Sequence, residues 1–275
     1  MNKKLFPYIA IAYVLVFLFI QVIAEVGTLT VESLIQHETL GKIDPIGTII
    51  AAVIFSLVTI ALFVWMKWAT VSKDFVMTRP WDLLFWCFIA ALGVIIPSTF
   101  LQEQMPEWPD AIQRYIDETA QQMVGIMNTP GGYAVICLLA PIAEELVFRG
   151  AVLRKLLEWK PEHRWLMIIF SAVLFAVAHM NPAQMIHPLL IGILLGWMYE
   201  RTGSILPGIA YHWANNTVAY LMTRLYQDPD ITITQIMGSE RQALISTGFS
   251  LLILIPAIYQ LNLWMKKADK SYLKR

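Results

Sequence analysis

Apolar residues along this chain gather mostly in blocks of about 17–25, the length a helix needs to cross the hydrocarbon of a bilayer. Eight such blocks lie near 6–24, 47–67, 82–101, 131–154, 165–180, 184–199, 204–224 and 244–265. They predict an all-α, polytopic membrane bundle of about eight transmembrane helices with both termini cytoplasmic. The fifth and sixth blocks are short and joined by Asn181-Pro182, which makes them the weakest pair of separate crossings. The stretch 102–130 has a different pattern. It is acidic through Glu103, Glu107, Asp110, Asp117 and Glu118, while Ile112, Tyr115, Ile116, Thr119, Met123 and Ile126 recur at three- and four-residue spacing. That spacing predicts an amphipathic helix, either lying on the outer membrane surface or packed on its own bundle.

Pro45, Pro80 and Pro130 fall at or just before predicted helix starts, where a missing amide donor costs nothing. Pro141 falls inside the fourth block. There it removes a donor and crowds the carbonyl of Cys137, and in hydrocarbon a freed carbonyl needs another partner. No internal repeat, low-complexity tract or soluble domain interrupts the pattern. Residues 1–275 read as one integral-membrane domain, with 131–224 as its core helices.

Composition agrees with the pattern: 57% of residues are hydrophobic, against about 45–50% in a soluble domain. The net charge of zero hides a separation of sign. With the amino terminus inside, inner segments carry Lys3, Lys4, Lys67, Lys73, Arg79, Arg154, Lys155, Lys160, Arg164, Arg201 and every basic residue from Lys266 onward. Outer segments carry Lys42, Arg114, Arg224 and Arg241. This positive-inside bias needs the crossings to alternate as drawn. Trp65, Trp68, Trp81, Trp86, Trp159 and Trp165 sit near the inner boundaries, as an aromatic belt would. No basic patch suggests nucleic acid. The first apolar run, preceded by Lys3 and Lys4, exceeds the usual signal core and reads as an uncleaved helix. The compact chain without organelle-targeting features reads as a protein of a bacterial cytoplasmic membrane. Cys87 and Cys137 fall inside predicted helices, which argues for buried hydrophobes and against a disulfide framework.

The chemistry sits in the fourth block, at Ala143-Glu144-Glu145-Leu146-Val147-Phe148-Arg149. A carboxylate near the bilayer centre costs about 2.5–3.5 kcal/mol on insertion scales, so two beside one arginine need a reason. At about 100° per residue, Glu145 and Arg149 share a face, and Glu144 points roughly 140° from the arginine. Glu145 and Arg149 neutralise each other, and Glu144 is left without a local partner. An unpaired carboxylate of this kind is a candidate proton acceptor. Further along come His179, at the end of Phe175-Ala176-Val177-Ala178-His179, and then His212 and Asn216, an i, i+4 pair. Counting about 1.5 Å per residue from the nearest inner charge, Glu144 lies about 15 Å deep and His212 about 16 Å. His179 and Asn216 come out near 22 Å on the same count. Each residue alone has an ordinary structural reading: a histidine bonded to backbone, an ion pair as helix glue, an asparagine bridging helices. Six of them on three helices beside a proline are more polarity than packing needs. His187, His163 and His37 lack a partner pattern and stay unassigned.

These three stretches resemble the motifs of the CPBP family: CAAX prenyl endopeptidases and bacteriocin-processing enzymes, also called the Abi family. The first, E-E-x-x-x-R, is Glu144 to Arg149; the second, F-x-x-x-H, is Phe175 to His179; the third, H-x-x-x-N/D, is His212 to Asn216. The resemblance covers roughly 131–220. It implies a glutamate-dependent intramembrane endopeptidase needing no cofactor or metal. Its substrate would be a membrane-associated protein or peptide met in the lipid bilayer. Glu144 and His179 would position and deprotonate a water. His212 and Asn216 would form the oxyanion hole, where each donor is commonly worth about 2.7–4 kcal/mol. Glu145 and Arg149 would hold the first motif in shape.

Two other readings compete. Glu144, His179 and His212 are zinc-ligand types with room for an open position, although no H-E-x-x-H motif is present. Buried carboxylates and histidines also serve as ion relays in non-catalytic transport or immunity proteins.

Overall fold

Every element among the described residues of this computed structural model is helical. The described residues are 3–36, 44–69, 75, 80–106, 108–228 and 231–265. Lys42, Lys73, Arg79, the basic residues from Lys266 onward, Glu107 and His37 lie outside them.

The helices are α1 (Phe6–Gln36), α2 (Pro45–Trp65), α3 (Trp81–Glu103), α4 (Asp110–Asn128), α5 (134–159), α6 (Arg164–Ala178), α7 (Ile186–Thr202), α8 (Leu206–Tyr226), α9 (Ile233–Met237) and α10 (Glu240–Trp264). Each of the eight apolar blocks is thus a helix, and the fifth and sixth are separate ones, α6 and α7. Asn181 divides them, its side-chain oxygen accepting from the Ala183 amide at 3.1 Å. The first helix runs well past the predicted 6–24. Among the described residues, five helical stretches are long and apolar enough to cross a membrane: Lys3–Ile35, Pro45–Trp65, Trp81–Glu103, Pro161–Ala178 and Glu240–Trp264. The protein is an integral membrane protein. The helices that carry Glu144 and His212 are not among the five, because the polar residues of interest dilute their apolar character.

Helix ends follow from local chemistry. Asp44 caps α2 by accepting from the Gly47 amide at 2.6 Å, with Pro45 next in line. Gly203 ends α7 in the left-handed region at φ 65°, its amide bonding the Tyr199 carbonyl at 2.8 Å. Helices α3 and α10 pack closely through Gly93, where an added Cβ would come within 2.8 Å of the Leu254 backbone. Small residues permit this approach between membrane helices.

Helix α4 takes up the amphipathic pattern predicted for 102–130. It packs against α2 and α8 and is tied to the loop after α6: the Tyr115 hydroxyl donates to the Met180 carbonyl at 3.1 Å, and the Asn181 amide to Thr119 Oγ1 at 3.1 Å. Its outer apolar residues Ile112, Tyr115 and Met123 remain exposed. Trp65, Trp81 and Trp165 are exposed on the bundle surface, whereas Trp68 packs on Tyr13 and Phe63. Cys87 and Cys137 are buried free thiols.

Candidate active site

Helix α5 changes hydrogen-bond register three times over 134–159. It is π-helical over Ala134–Leu139, α-helical over Ala140–Glu145, π-helical again over Leu146–Leu153, and α-helical over Arg154–Trp159. Two wide turns therefore bracket the Glu144-Glu145 pair, and π turns inside helices gather at functional sites. Pro141 accounts for part of this. The Ala140 amide bonds the Val135 carbonyl, an i→i+5 step. The next donor in that ladder is residue 141, a proline, so the carbonyl left over is that of Ile136 and not the Cys137 carbonyl expected from an α ladder. Asn216 of α8 fills the gap, its side-chain amide donating to the Ile136 carbonyl at 2.9 Å.

One turn on, the predicted pairing holds. Arg149 Nη1 lies 2.7 Å from Glu145 Oε1, and the Glu145 side chain is 0% exposed. The guanidinium also donates to the Gly192 carbonyl at 3.3 Å and lies 4.4 Å from the centroid of the Phe175 ring. A buried ion pair needs its remaining groups occupied, and these contacts occupy both terminal guanidinium nitrogens and one ring face, while among the described residues Glu145 Oε2 keeps no hydrogen-bond partner. Gly208, in the first turn of α8, admits the pair: an added Cβ there would collide with Glu145 Oε2 and stand 3.1 Å from the carboxylate carbon.

Glu144 is left outside this pair. Its side chain is 19% exposed, and its Oε2 lies 3.7 Å from His212 Nε2. The other ring nitrogen, Nδ1, lies 3.4 Å from Glu145 Oε1 without hydrogen-bond alignment. His212 is thus held between the two carboxylates. Glu144 Oε2 and His212 Nδ1 are buried atoms with no protein hydrogen-bond partner.

His179 caps the C-terminus of α6. Its Nδ1 is 2.9 Å from the Phe175 carbonyl. A carbonyl only accepts, so Nδ1 carries the hydrogen and Nε2 keeps its lone pair. Phe175 is the common neighbour of the site. His179 packs edge-on against its ring at 4.7 Å, His212 at 6.0 Å, and Phe148 at 5.1 Å from the other direction. The three motifs thus meet around one aromatic ring. Among the described residues, no three His, Cys, Asp or Glu side chains form a group able to hold a metal ion.

Asn216 has a structural duty beyond the expected one. One amide hydrogen serves Ile136, and its carbonyl oxygen accepts from Asn215 Nδ2 at 3.3 Å. Sequence reasoning missed Gly208, the Gly192 carbonyl, Ser98 and His187. Gly208 and Gly192 carry no side-chain signal. Ser98 follows a mid-helix proline, Pro97, which was a usable one. His187 was left unassigned, yet its Nδ1 lies 2.7 Å from Ser98 Oγ. His163 lies in a short 3₁₀ turn between α5 and α6.

Residues 127–218, about a third of the chain, match the family model described as type II CAAX prenyl endopeptidase Rce1-like. No curated protein and no solved structure matches the chain. The matched stretch contains all three motifs and stops two residues after Asn216.

Proposed function

Through residues 127–218 the chain belongs to the CPBP/CAAX protease family, and from that premise we propose that it hydrolyses a peptide bond of a membrane-associated protein or peptide by glutamate-activated water. Glu144 is the base. Its neighbour Glu145 is fully buried and neutralised by Arg149, whereas Glu144 lies outside that pair, 19% exposed and 3.7 Å from His212. That division between two adjacent carboxylates is the observation that carries the reading. His179, with Nε2 unprotonated, accepts a hydrogen from the same water and aims its lone pair at the scissile carbonyl. The carbonyl oxygen then gains charge. His212 and the second amide hydrogen of Asn216 donate to it, a stabilisation that acts most strongly where bulk water is excluded. Proton transfer from Glu144 to the leaving nitrogen completes the cleavage.

Immersion fits the chemistry. Eight crossings with both termini cytoplasmic would bring substrates anchored in or beside the bilayer to the level of Glu144. The bacterial cytoplasmic membrane is the expected setting, and 131–224 the catalytic core.

The test compares membranes of cells expressing wild type with those expressing Glu144→Gln. This isosteric change removes the base and keeps the shape. New protein termini are expected only with wild type, at equal levels of folded protein. Equal cleavage by the Glu144→Gln protein would refute the mechanism.

A further inference from the structure

Helix α4 lies almost wholly outside the matched stretch, sharing only its last two residues with 127–218. It nevertheless reaches the ends of both helices that carry the second and third motifs. At the end of α6, Met180 directly follows His179 and stands in the left-handed region at φ 52°. Glycine usually takes this place after a helix, and a methionine there meets the steric cost of its Cβ. Two ties from α4 hold the strained backbone. The Tyr115 hydroxyl donates to the Met180 carbonyl at 3.1 Å, and Asn181 Nδ2 donates to Thr119 Oγ1, one turn further along α4, at 3.1 Å. The second tie is fixed in direction at both ends. Thr119 commits its one hydroxyl hydrogen to the Ile116 carbonyl at 2.8 Å, so it meets Asn181 as an acceptor. Asn181 Oδ1 accepts from the Ala183 amide at 3.1 Å, which turns Nδ2 toward Thr119. Pro182 adds local support by keeping Asn181 extended, at φ −120° and ψ 107°. At the other end of α4, Asn128 accepts from Arg224 at 2.6 Å and donates to Gln227 at 2.7 Å. Gln227 ends α8, also in the left-handed region, at φ 56°. One amphipathic helix therefore clasps non-glycine left-handed ends on both α6 and α8.

The clasp on α6 lies one residue from the chemistry. The amides of His179 and Met180 close the last turn on the Ala176 and Val177 carbonyls, at 3.2 and 2.9 Å. The His179 Nδ1 bond to the Phe175 carbonyl spans the same turn. If Met180 relaxes out of the left-handed region, that turn opens and His179 Nε2 loses its direction. We propose that Tyr115 and Thr119 are positioning residues for His179, acting through the left-handed backbone at Met180. The kinetic consequence rests on the peptidase reading; the clasp itself rests on geometry alone.

Two readouts on the full-length protein in nanodiscs separate these layers. The first combines ¹⁵N-histidine NMR, with His179→Gln used to assign the signal, and amide hydrogen exchange over 175–181. Wild type is expected to show His179 as the Nδ1–H tautomer. In Tyr115→Phe/Thr119→Val that signal should move toward a mixture of tautomers, and the His179 and Met180 amides should exchange about fivefold faster or more. Thr119→Ser keeps the acceptor and should match wild type in both. A His179 signal and exchange rates unmoved in the folded Tyr115→Phe/Thr119→Val protein would overturn the proposal whether or not the protein is a peptidase.

The second is cleavage of a quenched fluorescent prenylated CAAX peptide. Tyr115→Phe and Thr119→Val are each expected to lower kcat about fivefold, the worth of about one hydrogen bond, with KM within about twofold. Glycine adopts the left-handed region without strain, so in a Met180→Gly background Tyr115→Phe should cost less than about twofold. A merely structural loss would not be relieved by adding a glycine. Full kcat in both folded single variants, a loss confined to KM, or an undiminished Tyr115→Phe effect in the Met180→Gly background would defeat the positioning role. Cleavage that survives Glu144→Gln would instead defeat the peptidase reading, and the imidazole and exchange results would then decide the clasp by themselves.

Discussion

Replacing Arg149 with alanine isolates what the buried ion pair contributes. The variant leaves the Glu145 carboxylate with no exposure and no cation, since among the described residues Arg149 Nη1 at 2.7 Å is its only ion-pair partner besides a misaligned imidazole 3.4 Å away. Breaking such a pair from one side costs about 3–5 kcal/mol, dominated by the charge left behind. Because neither group is solvated, no screening discount applies. Loss of the stacking on Phe175 adds about 1–2 kcal/mol at a desolvated site, not fully additive with the first. Desolvation makes the reverse comparison informative. Removing both charges in Arg149→Met/Glu145→Leu abolishes the penalty together with the attraction, and stability should return to within about 1–2 kcal/mol of wild type. Arg149→Lys should fall between, because an ammonium cannot stack and fork at once. The assay is thermal unfolding of purified protein in detergent, with expression level as a second readout. By the usual scaling for chains of this size, the alanine variant should lose on the order of 10 °C. An unchanged midpoint for Arg149→Ala, or a double variant as unstable as the single one, would refute the assignment of Glu145 as a carboxylate held by that arginine.

Two further outcomes follow from contacts around the site. Asn216→Ala strands the Ile136 carbonyl and should cost about 1–3 kcal/mol, and Pro141→Ala in that background restores a backbone donor. Thermal stability should therefore recover in the double variant while peptide cleavage does not, and recovery of neither would disconnect Asn216 from the proline. Gly208→Ala drives a methyl group into the Glu145 carboxylate and should destabilise by about 1–3 kcal/mol. Because the clash is with the ion pair itself, cleavage and melting temperature should fall together, and a fully active, stable Gly208→Ala protein would contradict the contact.

Hydrophobic spacing was enough to locate every one of the eight apolar helices and the amphipathic one at Asp110–Asn128. Element existence follows from block length because the cost of burying backbone polar groups in hydrocarbon leaves helices as the available solution. Crossing count depends on more than block length. Glu144, Glu145 and Arg149 in α5, and His212, Asn215 and Asn216 in α8, lower the apolar character of the helices that matter most for chemistry. The Glu145–Arg149 pair was legible because an i, i+4 relation is local and the helix itself brings the groups together. The unpaired state of Glu144 came from the same local geometry.

Contacts between residues far apart in the chain were not legible. Periodicity assigns a residue to a face of its helix, but what lies opposite that face depends on how the helices are rotated and set in depth. Thus the chain alone announced three polar motifs and one helix broken by Pro141. Only packing decided that Asn216 would answer the Ile136 carbonyl 80 residues away, that Gly208 would make room for Glu145, and that Phe175 would gather Arg149, His179 and His212 around one ring. The π turns belong to the same class. A proline removes one donor wherever it stands, but which carbonyl is orphaned depends on the ladder register, and that register is settled by the neighbouring helices that supply the substitute donor.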